Sequence, residues 1–187
     1  MVHSAPSSAS DPWRHSVNVA QIPETGLRVE FEATADERAA LAATAGLREV
    51  SRATAAFELT HAGGGKVAVA GRVTARVGQT CVVTLDPVEN TIDEAVDLVF
   101  APEAEIPRLA AMIDDDADSD EIPDPPEPIA GGLIDLGRVA TDALFLGIDP
   151  YPRRPDAVFE SPAPAVDPEE HPFAALKALQ QKGKPPA

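Results

Sequence analysis

The stretch LREVSRATAAFELTHAGGGKVAVAGRVTARV, residues 47–77, decides the fold of this chain. Within it, residues 47–60 and 66–77 are typical of two long strands. The three glycines at 63–65 supply the backbone freedom that a hairpin loop requires. One face of the second strand carries four valines, Val67, Val69, Val73 and Val77. The stretch therefore predicts an antiparallel hairpin with one apolar face.

Four shorter segments around this hairpin are also predicted to be strands. Their ranges are 13–19, 27–33, 80–85 and 91–100. A turn at Asp86-Pro87 separates the last two. Six strands with short connections imply a mainly antiparallel six-stranded sheet that curls into a barrel or a sandwich. With two to three short helices added, the expected class is α+β.

Two helices are predicted inside the domain from their capping residues. Thr34 and Glu37 form a capping-box pattern around the helix formers of residues 35–45, and a glycine follows. Asp135 can cap a helix over residues 136–146, which also ends at a glycine.

A third short helix is expected to start at Asp167-Pro168, since proline suits the first turn of a helix. It has a narrow apolar stripe of Phe173, Leu176 and Leu179. This helix either packs on its own domain or docks on a partner, because residues 160–166 before it look like a flexible linker.

A length of 187 residues corresponds to about one domain plus tails. Residues 1–12 are polar and small and are expected to be a disordered tail; they also lack the apolar stretch of a secretory signal. Residues 13–155 are predicted to form the domain, and residues 156–187 a linker and the C-terminal helix. The single cysteine excludes an internal disulfide. A cytoplasmic protein is expected.

The chain carries 31 acidic and 15 basic residues, which gives a formal net charge of −16. This charge argues against unaided, nonspecific binding to DNA or to a membrane surface, and it suits a basic partner. The segment 101–130 holds ten acids and one base, which predicts a mobile acidic loop inserted in the domain. Six of these acids are candidates for contact with a basic partner: Asp114, Asp115, Asp116, Asp118, Asp120 and Glu121.

Part of this acidic loop has the spacing of a calcium-binding EF-hand loop. Asp116 would be the first position, but Glu121 occupies the sixth position, which is normally a glycine. Two prolines also stand where the exit helix would begin. A solvated acidic loop is the favoured interpretation, and no metal site is expected.

Five bases and two acids lie between residues 46 and 78, against the overall charge. The bases are Arg48, Arg52, Lys66, Arg72 and Arg76. A turn at the glycines brings Arg52 close to Arg76 across the hairpin, where like charges are unfavourable. One interpretation is a solvated sheet face, or a face that the acidic loop covers. The other is a contact for RNA phosphate or another anion, assisted by Arg153 and Arg154.

The sequence contains none of the patterns HExxH, CxxC or GxSxG. Cys81 is expected to point inward from the strand 80–85 with Val83 and Leu85, as a small buried hydrophobe. No catalytic residue and no cofactor is expected.

Two blocks have a more specific spelling. The first is CVVTLDPV at 81–88, followed by the strand at 91–100, and the second is IDLG at 134–137, followed by PYPRRP at 150–155. Together they resemble the YceD family of large ribosomal RNA subunit accumulation proteins, over roughly residues 13–180. The residues that carry this resemblance are Cys81, Asp86, Pro87, Asp135, Pro150, Tyr151 and Pro152. The closing PFAALK is similar to the alphaproteobacterial branch.

This resemblance implies a cytoplasmic bacterial protein that is needed for normal 23S ribosomal RNA levels, with no established enzyme activity. Many family members carry a C-x-x-C in the first block, which is suspected of binding metal. Here the second position is Thr84. One thiolate and a threonine do not make a structural zinc site, so no metal is carried over.

The function expected from the sequence is that of a noncatalytic ribosome biogenesis factor. It would support large-subunit assembly by binding a basic ribosomal protein, precursor 23S ribosomal RNA, or both, without DNA or membrane binding. Two alternatives stay open. One is a metal-dependent RNA-processing enzyme, and the other is a protein-binding adaptor unrelated to ribosomes.

Overall fold

The computed structural model describes residues 11–107 and 125–159. These residues form an α+β fold with a five-stranded mixed sheet, a two-stranded sheet and two α-helices. The strands are β1 (Ser16–Asn18), β2 (Leu27–Glu32), β3 (Glu49–His61), β4 (Val67–Thr80), β5 (Pro87–Pro102), β6 (Glu127–Ile129) and β7 (Leu133–Asp135). The helices are α1 (Ala35–Ala45) and α2 (Leu136–Leu146).

The larger sheet has the strand order β2-β3-β4-β5-β6. Its first four strands are antiparallel to their neighbours, and β6 runs parallel to β5. The smaller sheet pairs β1 with β7. The expected single six-stranded antiparallel sheet is therefore wrong, although the α+β class is confirmed.

The β3–β4 hairpin forms as the sequence predicts. All three loop glycines adopt positive φ angles, and the loop closes with a hydrogen bond of 3.0 Å from the Lys66 amide to the Gly63 carbonyl. The four valines of β4 are fully buried. Because side chains alternate along a strand, the arginines of β4 lie on the opposite, outer face of the sheet.

The predicted strand 80–85 is also wrong. β4 continues to Thr80, and residues 81–86 form the loop of the β4–β5 hairpin. This loop closes between the Cys81 amide and the Asp86 carbonyl, at 2.8 Å. Its apolar, β-branched composition resembles a strand, whereas its hydrogen bonds are those of a turn.

Both predicted helices are confirmed with their caps. The Thr34 side chain accepts a hydrogen bond from the Glu37 amide, and the Glu37 side chain accepts one from the Thr34 amide. The side chain of Asp135 accepts from the Arg138 amide at 3.1 Å. Gly137 lets α2 pack tightly, since a Cβ there would lie 2.3 Å from the Trp13 carbonyl oxygen.

The core lies between the inner face of the larger sheet and the two helices. Trp13 is buried and packs edge-on against Phe31, with ring centroids 5.2 Å apart. Helix α1 contacts β3, and α2 contacts β4 and β5. In the described part of the chain the sheet does not close into a barrel. The helices cover its inner face instead, which removes the need to bury that face by closure.

The ends of the predicted acidic loop are ordered. β5 extends to Pro102, a 3₁₀ turn follows at Glu103–Glu105, and β6 begins at Glu127. Residues 108–124 lie outside the described residues, as do the tail 1–10 and the predicted C-terminal helix.

Candidate functional site

The first sequence block and the PYPRRP part of the second block meet at one end of the larger sheet. The loop 81–86 lies against the segment 149–156 that follows α2, and we call this region the loop tip. The Val82 amide donates to the Pro152 carbonyl at 2.9 Å. The Arg154 guanidinium donates to the Asp86 carboxylate at 3.2 Å. The loop and the segment are therefore joined by both backbone and side-chain contacts.

A polar pair, the buried Gln79 and the half-buried Asn90, anchors the loop tip to the sheet. The Gln79 amide nitrogen donates to the Asp149 carbonyl at 2.8 Å, and Asn90 donates to the Gln79 amide oxygen at 2.6 Å. Gln79 is buried, and these two bonds give a partner to both the nitrogen and the oxygen of its side-chain amide, as a buried polar group requires. Neither Gln79 nor Asn90 stood out in the sequence. The only sequence signal for them is that each is a polar residue at a strand position where the alternation of side chains points inward.

Cys81 is fully buried, as the sequence predicts, but it lies in the loop rather than in a strand. The hydroxyl of Thr84 donates to its sulfur, and so do the amides of Thr84, Arg154 and Val83. These hydrogen bonds, led by the Thr84 hydroxyl, lower the pKa of the Cys81 thiol to about 6. The thiol environment is therefore polar rather than purely apolar.

Leu85 closes the loop in an unusual backbone conformation. Its φ is 64°, in the left-handed region that a leucine rarely adopts. Its side chain is 73% exposed, so the expectation that Leu85 points inward with Cys81 is wrong. Tyr151 across the loop tip is 71% exposed. Val82, Val158 and Phe159 are also exposed large hydrophobic residues. Three of the eight exposed large hydrophobics of the described residues thus belong to the two segments of the loop tip, and two more, Val158 and Phe159, follow the second segment.

The residues of the family resemblance are divided by the fold. Cys81, Asp86 and Pro87 form the loop side of the loop tip, and Pro150, Tyr151 and Pro152 form the other side. Asp135 lies apart from them, at the N-terminus of α2, where its role is to cap the helix.

The predicted juxtaposition of Arg52 and Arg76 is confirmed, since the two residues are direct partners in the β3–β4 register. They lie on the outer sheet face among acids. Arg52 approaches Glu32 of β2 at 3.6 Å, and Arg72 forms an ion pair with Asp93 of β5 at 2.5 Å. This face is therefore of mixed charge, because the neighbouring strands supply acids beside the arginines of the hairpin.

The remaining candidate bases lie at both ends of the sheet. Lys66 directly precedes β4 and is ten residues from Arg76, about 33 Å along an extended strand. Arg48 lies at the other end, where its amide donates to the Gly78 carbonyl. Arg153 is exposed at the loop tip. The seven candidate bases therefore do not form a single patch.

Arg154 is tied down by acids. Besides Asp86 it binds Asp156, with donor–acceptor distances of 3.1 Å. The hydrogen bonds and charge of Asp156 raise the pKa of Arg154, and those of Arg154 lower the pKa of Asp156. Arg154 thus holds the loop tip together. Arg153, which is exposed, is the arginine of the loop tip that is more available to bind an anion.

The six acids proposed for contact with a basic partner lie outside the described residues, in the segment 108–124. Within residues 11–107 and 125–159, no group of three or more His, Cys, Asp and Glu side chains is placed to hold a metal ion. No helix in this part of the chain is long and apolar enough to cross a membrane.

The structure is a small α+β domain in which the loop 81–86 and the segment 149–156 together form the exposed loop tip. The family model of the large ribosomal RNA subunit accumulation protein YceD matches residues 69–180, more than half of the chain. The chain therefore belongs to the YceD family. The matched region begins in β4 and contains both blocks. No curated protein and no solved structure matches this chain.

Proposed function

We propose that this protein is a noncatalytic factor of the cytoplasm that supports 23S ribosomal RNA accumulation and large-subunit assembly. It acts by binding a basic ribosomal protein, ribosomal RNA, or both. The observation that carries this proposal is the match to the YceD family over residues 69–180, whose description refers to accumulation of the large ribosomal RNA subunit.

The charge of the chain supports a basic protein as partner. A net charge of −16 attracts basic proteins and keeps them soluble before they meet RNA. Acids also line strand β5 of the described structure, which carries Glu89, Asp93, Glu94 and Asp97. Ribosomal proteins are basic, so they fit this requirement.

The hairpin supports a local contact with RNA. Arg52 and Arg76 face each other across two strands, an arrangement that costs free energy unless an anion lies between them. Arg76 has no ion-pair partner within residues 11–107 and 125–159. A phosphate group bridging these two guanidinium groups would relieve their repulsion.

The first experiment locates the tagged full-length protein in a sucrose gradient of gently lysed cells, with crosslinking and mass spectrometry of its partners. Co-migration with immature large subunits, and crosslinks to large-subunit components, are expected. An unrelated protein with the same tag and a similar net charge is the control. Migration only as free protein, without ribosomal crosslinks, would contradict the proposal and favour an adaptor.

A second experiment tests the noncatalytic role. Purified protein is incubated with precursor 23S ribosomal RNA and Mg²⁺, and the RNA is analysed on a denaturing gel. Intact RNA is expected. Cleavage that requires Mg²⁺ and persists through further purification would establish an RNA-processing enzyme instead.

A further inference from the structure

A groove of about 640 Å³ runs between α2 and β5. Its apolar lining comes from the inner face of β5 and from one side of α2: Val96, Leu98, Phe100, Val139, Ala143 and Leu146. Leu146 is 85% exposed, although it follows the apolar stripe of its helix. The groove is therefore apolar surface that the described residues leave uncovered.

The groove follows an open strand edge. β6 pairs with β5 only at residues 100–102, and no other described strand pairs with β5 on this side. Residues 87–99 of β5 therefore have β4 on one side and, among the residues described, no strand on the other. Such an edge presents a row of backbone amide and carbonyl groups that can pair with an added strand.

The rim of this groove is acidic. Five acids line it, Glu94, Asp97, Glu127, Asp135 and Asp142. The single base in the lining, Arg138, already approaches Asp142 at 3.7 Å. Charges on an edge strand are an ordinary protection against aggregation. A protected edge does not need an apolar groove beside it, and the two features together suit a basic, partly apolar segment.

We propose that the edge of β5 left open by the described residues binds an extended segment of a basic partner protein, in which apolar residues alternate with Lys or Arg. This inference rests on the proposed function, in which that partner is a ribosomal protein. Successive side chains of an added strand point to opposite faces of a sheet. The apolar ones enter the groove, and the basic ones meet the exposed carboxylate of Asp97, next to the Asp93–Arg72 ion pair of the outer face.

The test measures fluorescence anisotropy of a labelled peptide of alternating Lys and Val with the full-length protein. Two control peptides are a Glu–Val peptide of the same length and the Lys–Val peptide with its backbone amides N-methylated. The second control keeps the side chains and charges but removes the amide donors. Binding about tenfold weaker is expected for each control. Equal affinity for the N-methylated peptide would overturn strand addition.

Two variants locate the binding on the groove. Leu146→Asp introduces a negative charge, which would favour a basic peptide on charge alone, yet weaker binding is expected because apolar contact is lost. Asp97→Lys is also expected to weaken binding. The control Glu58→Lys makes the same change of charge on the outer face of β3, away from the edge, and has little effect. Unchanged binding by Leu146→Asp would exclude the groove.

A further variant, Phe173→Asp with Leu176→Asp, tests whether the C-terminal part of this chain occupies the groove. Unchanged peptide affinity is expected. A tenfold gain would show that the chain itself fills the groove, and would overturn the proposal.

The gradient experiment separates this inference from the function on which it rests. If wild-type protein co-migrates with large-subunit particles but binds no Lys–Val peptide, the groove proposal fails and the proposed function stands. If the wild-type protein avoids those particles, the proposed function fails whatever the peptide does.

Discussion

The hydrogen bonds around Cys81 show how a threonine three residues after a buried cysteine can lower the pKa of its thiol. Thr84 accepts a weak hydrogen bond from the Asp86 amide at 3.4 Å, which leaves its hydroxyl proton for the sulfur. The sequence predicted a buried cysteine, and burial is confirmed. The sequence did not predict its polar surroundings, because the amide of Arg154 arrives from a distant part of the chain.

The variant Thr84→Val is expected to raise the pKa of Cys81 from about 6 toward its ordinary value near 8.5. The lowered pKa in the folded protein stabilises it fully above the unfolded-state pKa, and this stabilisation is lost as the pH falls through about 6. The stability difference between wild type and variant therefore grows from pH 6 to pH 9.

Ultraviolet absorbance of the thiolate against pH measures this pKa, and urea unfolding at several pH values measures the stability. Thr91→Val, an exposed change on β5, is the control. A stability difference that does not change with pH would contradict the role of the Thr84 hydroxyl.

The facing arginines lead to a second prediction at this scale. Arg76→Gln removes one of two like charges that face each other, so it is expected to raise the free energy of unfolding by about 0.2–1 kcal/mol. The same variant should reduce crosslinking to ribosomal RNA. The control Arg28→Gln removes an exposed ion pair with Glu30 instead, and should leave the stability equal or slightly lower. Urea unfolding measures these stabilities. A less stable Arg76→Gln would show that the repulsion between Arg52 and Arg76 is already relieved in the free protein.

At the scale of the element, the loop 81–86 is the clearest error of the sequence prediction. Its apolar residues favour a strand, and the turn signal at Asp86-Pro87 comes only at its end. The partners that hold it, Pro152 and Arg154, lie about 70 residues away, and no local pattern contains them. The positive φ of Leu85 could not be predicted from the sequence either, because leucine is not a residue type that favours the left-handed conformation.

The variant Leu85→Gly is expected to stabilise the fold by up to about 1 kcal/mol. The left-handed conformation costs a leucine about 1–2 kcal/mol, and the greater freedom of glycine in the unfolded chain offsets part of that gain. Little buried surface is lost, since the side chain is mostly exposed. Val82→Gly is the matched control in the same loop, and it should destabilise. If Leu85→Gly lowers the urea midpoint, the leucine side chain holds the loop and strain is not the dominant effect.

The helices illustrate the opposite case. Their caps are local in sequence, so Thr34 and Asp135 predicted both starts correctly. The reason for Gly137 is not local. It lies in the first turn of α2, where alanine would be the better helix former by about 1 kcal/mol.

We expect Gly137→Ala to destabilise the protein by more than about 2 kcal/mol despite its helix propensity. Its Cβ would lie 2.3 Å from the Trp13 carbonyl oxygen and 2.6 Å from the His15 amide nitrogen, and these backbone atoms cannot move without displacing β1. Thermal unfolding measures the effect, with Leu146→Ala at the exposed end of the same helix as control. Equal stability of wild type and Gly137→Ala would mean that β1 and α2 separate easily.

At the scale of the whole molecule, the sequence predicted which faces are buried but not how the strands assemble. Alternation along β3, β4 and β5 is a local pattern, and the structure confirms it. Strand order depends on contacts between distant segments, such as β6 beside β5 and β7 beside β1. The mixed charge of the outer face follows from the same cause, since Glu32 and Asp93 reach the arginines only once β2 and β5 flank the hairpin.

The net charge sets the last prediction, which concerns binding to large-subunit components. Replacing residues 113–121 by a neutral segment of the same length removes six of the 31 acids. Attraction to a basic partner is long-range and screened by salt, so binding should weaken and its decrease with ionic strength should become shallower. The fold of the described domain should be unchanged, as circular dichroism and urea unfolding would verify. The control is a scrambled 113–121 that keeps all six acids and should bind like wild type, because the attraction depends on charge rather than on order. If the scrambled segment fails while the neutral one binds, the segment is recognised by its sequence, and the electrostatic account of the partner is wrong.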